Sequence, residues 1–133
     1  MTNTVDLIRA LNTHLDEFEL PAMASVRASA YTSQLTVQLP ASAPSSIAAG
    51  LLAWADTLTD ITAEAWRDPH GDSMHLSVTG LLPDGTTVEI YGALPINDHG
   101  PGADLAPGAT TTVTLATLRH LATPGHATEE DAL

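Results

Sequence analysis

Strict two-residue alternation of apolar and polar side chains recurs in five short stretches of this chain. Val26, Ala28 and Ala30 alternate with Ser25, Arg27 and Ser29, and Leu35, Val37 and Leu39 with Gln34, Thr36 and Gln38. Ile61, Ala63 and Ala65 alternate with Thr62, Glu64 and Trp66. Met74, Leu76 and Val78 alternate with His75, Ser77 and Thr79, and Val88 and Ile90 with Thr87, Glu89 and Tyr91. Successive side chains of a strand point to opposite faces, so each stretch is expected to form a strand with one dry and one wet face. Pro83-Asp84-Gly85 suits a three-residue hairpin loop with Gly85 in the left-handed conformation, and Tyr31-Thr32 marks an earlier turn.

Between these stretches the period changes to that of a helix. Leu7, Ile8, Leu11, Leu15 and Phe18 form a first helical stripe, with Asn3 as N-cap, Asp6 in the first turn and Pro21 as the stop. His14 falls beside that stripe and is expected at its edge. Ile47, Leu51, Trp54, Ala55 and Leu58 mark a second helix, IAAGLLAWADTL, for which Ser45 or Ser46 is the expected cap. Gly50 within it suits close approach by a neighbouring element. The stretch from Pro95 to Ala109 holds three Pro and three Gly and is expected to be a long loop. A short strand, Thr110 to Val113, and a last helix carrying Leu115, Leu118 and Leu121 behind a Thr114 cap complete the reading.

The order α-β-β-α-β-β-β-(β)-α predicts an α+β fold: a two-layer sandwich of an antiparallel sheet with helices on one face. At 133 residues one domain is expected, over 1–122, followed by a flexible acidic tail over 123–133. With no Cys, a disulfide framework, a thiol nucleophile and a thiolate metal site are excluded. The opening stretch MTNTVDLIRALNTHL lacks a basic region followed by an apolar run, so no secretion signal is expected. A cytoplasmic protein is the expectation, and the Ala-rich, Lys-free composition points to GC-rich bacterial or phage coding.

The net charge of −12 arises less from abundant acids than from scarce bases: Arg9, Arg27, Arg67 and Arg119 are the only four, and Lys is absent. Charge-driven nucleic-acid complexes use about 6–10 phosphate contacts, so neither nucleic acid nor an anionic membrane surface is an expected partner. An acidic chain can instead imitate DNA, as phage defence inhibitors do, but the carboxylates here are dispersed.

Strand parity singles out one surface. Counting outward from Pro83-Asp84-Gly85 pairs Thr79 with Glu89 and Ser77 with Tyr91, and keeping Trp66 and His75 on one face sets them opposite each other across the Pro69–Asp72 loop. Trp66, His75 and Tyr91 then share the wet face, with Arg27 and Glu89 on it too. Exposed aromatics in such a row either stabilise the sheet by about 0.2–1 kcal/mol or mark a contact patch. A second constellation lies in the His/Asp loops 68–75 and 97–104, where His70, Asp72, Asp98 and His99 are candidate ligands for zinc or another divalent ion, with Asp68, Asn97 and Asp104 nearby. The spacing matches no established metal motif, and DPHGD is also ordinary turn chemistry.

Signatures for phosphate cradling, dinucleotide binding, a nucleophile elbow or a zinc protease are absent, and lysine chemistry is excluded. The resulting expectation is a non-catalytic interaction or adaptor domain without cofactor, self-associating or docking on a protein partner. The alternatives are a small-ligand or divalent-metal protein or enzyme using the His/Asp loops, and an acidic DNA mimic.

Overall fold

The computed structural model describes residues 3–40, 43–70, 73–95 and 105–122. The expected tail, 123–133, lies outside them. Among the described residues three helices and six strands follow one another as α1 (Thr4–Glu17), β1 (Ser25–Ser29), β2 (Gln34–Gln38), α2 (Pro44–Ala55), β3 (Thr59–Arg67), β4 (Ser73–Leu81), β5 (Thr87–Pro95), β6 (Thr110–Val113) and α3 (Leu115–Ala122). The fold is α+β. Among the described residues no helix is long and apolar enough to cross a membrane.

Side-chain chemistry sets the helix starts. Asn3 Oδ1 accepts a hydrogen bond from the Asp6 amide at 2.9 Å, and Thr114 Oγ1 accepts one from the Thr117 amide at 3.1 Å. Each fills one of the four amides left open at a helix start. Asn3→Ala is therefore expected to lower stability by about 1 kcal/mol, read as a shifted urea midpoint at unchanged slope. An unchanged midpoint would show the cap to be immaterial.

The second helix differs from expectation. It starts one turn early, with Ala43 as an N-cap that makes no side-chain bond and Pro44 in the first turn. Proline presets the helical φ and lacks the amide that a cap would satisfy, so Ser45 and Ser46 fall inside the helix rather than capping it. Leu58 lies beyond its end but is buried.

The six strands form one sheet in the order β1-β2-β5-β4-β3-β6. The β4–β5 turn closes as the sequence predicts: Leu82 N–H bonds Thr86 O at 2.9 Å, Gly85 N–H bonds Leu82 O at 2.8 Å, and Gly85 has φ +91°. One pair departs from the expected antiparallel sheet, because β2 and β5 run parallel, with Val37 opposite Ile90. Hairpin signals govern pairing within β1–β2 and within β3–β4–β5, not the seam between these units. At that seam the third meander strand lies against β2, and α2 supplies the crossover that parallel neighbours require.

Parity then sorts the side chains. Leu35, Val37, Ala63, Ala65, Met74, Leu76, Val78, Val88, Ile90 and Leu94 are buried and join Leu7, Leu11, Ile47, Leu51, Trp54 and Leu118 from the helices in one core. Helix α2 lies directly over β5 at Gly92, and α3 packs on α2. Val26 departs from this pattern: on the edge strand β1 it stays exposed, as does Ile8 on α1.

Candidate docking surface

The opposite face of the sheet is wet, and the ladder positions its side chains. Trp66 on β3 is paired with His75 on β4, and Ser77 with Tyr91 on β5. Tyr91 is thus diagonal to His75, within reach of a ring. The Trp66 and His75 rings meet edge to face, centroids 5.1 Å apart at 64°; the His75 and Tyr91 rings stack at 5.7 Å and 23°. All three are half-buried, each leaning on the next. With Ser77 and Glu89 they line a shallow depression of about 400 Å³.

Of the remaining predicted members, Glu89 lines the depression and Arg27 lies outside its lining. Arg27, Thr36, Glu89 and Thr79 form one row across β1, β2, β5 and β4. Neighbouring strands are about 4.8 Å apart, so Arg27 stands about 10 Å from Glu89 at the sheet edge. Among the described ladder positions of this face, fixed charge occurs only at Arg27, Glu64 and Glu89. The rest are mainly Thr, Ser and Gln, against a chain of net charge −12. Asp6, Asp16, Glu17, Glu19, Asp56, Asp68 and Asp84 lie instead on α1 and in the turns and loops, and Asp60 is exposed at the bulge near the start of β3.

For the metal candidates the outcome is divided. His70 is exposed, and its amide bonds Asp68 Oδ1 at 2.9 Å, a local turn contact. Asp72, Asp98 and His99, with Asn97 and Asp104, lie outside the described residues. Among the described residues no three His, Asp or Glu side chains gather closely enough to hold a metal ion.

One residue was misplaced by sequence reasoning. His14 is not at the edge of the α1 stripe but buried in the core, 2% exposed. The signal was available: His14 follows Leu7 and Leu11 at helical spacing, so periodicity places it on the inner face. Polarity alone argued it outward. Comparison of the whole chain with protein-family models, with curated proteins and with solved structures returns no match.

Proposed function

We propose that the wet sheet face is a protein-docking surface and that its occupant is a second copy of this chain. The supporting observation is the row Trp66–His75–Tyr91 at the middle of a charge-poor face on a strongly acidic chain. Interface centres are enriched in aromatics and depleted in charge, and two copies at −12 repel least where they carry fewest carboxylates. The few charges are also self-complementary. A two-fold axis brings a patch against itself, so the Arg27 of each copy can meet Glu89 or Glu64 of the other.

Trp66→Ala combined with Tyr91→Ala is expected to weaken self-association by about 30-fold or more, the effect of losing about 2 kcal/mol at a contact centre. Far-ultraviolet circular dichroism should be unchanged. Arg27→Glu should weaken association, and adding Glu89→Arg should restore it. Sedimentation equilibrium across a wide concentration range reads all three. A wild-type chain that stays monomeric throughout, or an unaltered association constant in the double alanine variant, rules the reading out.

A further inference from the structure

Independently of that face, the surroundings of His14 define two places for its ring. In the first, which the structure shows, the imidazole lies between Phe18 and Trp54, with centroids 4.8 and 5.9 Å away. Its Nε2 is 2.7 Å from Thr57 Oγ1, and that hydroxyl donates to the Trp54 carbonyl oxygen at 2.8 Å. A hydroxyl has one proton to give, so toward His14 it accepts, and Nε2 carries the hydrogen. Nδ1 is therefore a bare lone pair, sealed in the interior with no hydrogen-bond partner. Protonation would create a second N–H and a positive charge where nothing accepts either.

The second place is beside it. The ring borders a cavity of about 380 Å³ between α1 and the β4–β5 turn. Asp6, Glu17 and Asp84 line it against one cation, Arg9, which already pairs with Asp6 at 3.4 Å. An imidazolium turned outward would meet carboxylates from both walls.

We propose that His14 is a proton-operated latch for α1: neutral, it is seated against Trp54 and Thr57; protonated, it turns into the acidic cavity and the end of α1 comes away from α2. Glu17 on α1 acts on the ring and Asp84 on the turn lines the same cavity, while α2 and its end present Trp54 and Thr57, with Asp56 exposed at the C-cap. Burial holds the imidazole below its ordinary 6.5, with Glu17 opposing more weakly. Turned outward among carboxylates the imidazole holds its proton more readily than an ordinary one, so from above 6.5 down to the lowered value of the seated ring the open state binds more protons than the seated one. Seating is therefore at full strength above this window and is lost as pH falls through it.

Amide hydrogen-exchange protection factors along α1, measured on the full chain from pH 7.5 to 5.0, test the latch. They should be constant at the alkaline end and, from an onset that the carboxylates raise above the ordinary histidine value, should fall by up to about tenfold per pH unit. His14→Gln, which can still donate to Thr57 but cannot titrate, should be flat. Glu17→Gln with Asp84→Asn should move the onset to lower pH. Wild-type protection that does not vary with pH, or an equal decline in His14→Gln, overturns the latch. An onset unmoved by removing both carboxylates overturns the outward position. Should His14→Gln fail to fold, imidazole nitrogen resonances of the wild type decide: a seated ring shows the Nε2–H tautomer and titrates low, and an ordinary titration overturns the proposal.

Discussion

Trp54→Ala is expected to remove about 3–5 kcal/mol of folding stability, a large part of the roughly 5–15 kcal/mol that holds a domain of this size. Trp54 is fully buried near the end of α2 and forms one wall of the His14 seat. Truncation leaves a hole bounded by a helix end, which cannot collapse without shifting α1. Trp54→Phe should be much milder, because the indole Nε1 has no hydrogen-bond partner to lose. Urea unfolding followed by circular dichroism measures both. A loss below about 1 kcal/mol for the alanine variant would show that the core does not depend on this ring.

The second large effect is predicted where α2 crosses the sheet. A Cβ at Gly92 would stand 2.7 Å from Ile47 Cγ2 and 2.8 Å from Ile47 Cδ1. Gly92→Ala is therefore expected to destabilise by about 1–3 kcal/mol through overpacking. Because the obstruction is the Ile47 side chain, Ile47→Ala should recover part of that loss, giving a double-mutant cycle with favourable coupling. Gly80 supplies the contrast. Its Cβ would meet Leu58 Cβ at 2.9 Å and the Thr59 carbonyl oxygen at 3.0 Å, so trimming Leu58 leaves a backbone obstacle in place. Gly80→Ala should resist rescue by Leu58→Ala. Strict additivity at Gly92 and Ile47 would mean that α2 is free to lift away.

How far the sequence was legible follows from the range of each interaction. Two-residue parity and one turn signal set Ser77 opposite Tyr91, keeping Trp66 and His75 on one face across the Pro69–Asp72 loop set that pair, and the ladder contains both. Asn3, Thr114 and Gly85 act within three residues of themselves, and each does what its local chemistry implies. The parallel β2–β5 seam was illegible because no local pattern encodes which strand of a meander meets a distant hairpin. Residue type misled at His14: a polar label outweighed a helical position that packing had already chosen. The bulge at the start of β3, where Asp60 has φ 52°, left no pattern in the alternation that began at Ile61.

That parallel seam bears on the order in which the molecule assembles. The β1–β2 hairpin and the β3–β4–β5 meander each close over short stretches of chain, so each can form early. Their union joins Gln34 to Thr87, positions 53 apart (87 − 34), and must wait for a much longer loop to close. The N-terminal third of the chain should accordingly be the last to lock and, under mild denaturant, the first to detach, leaving one edge of β5 bare and ready to pair with whatever strand is nearest.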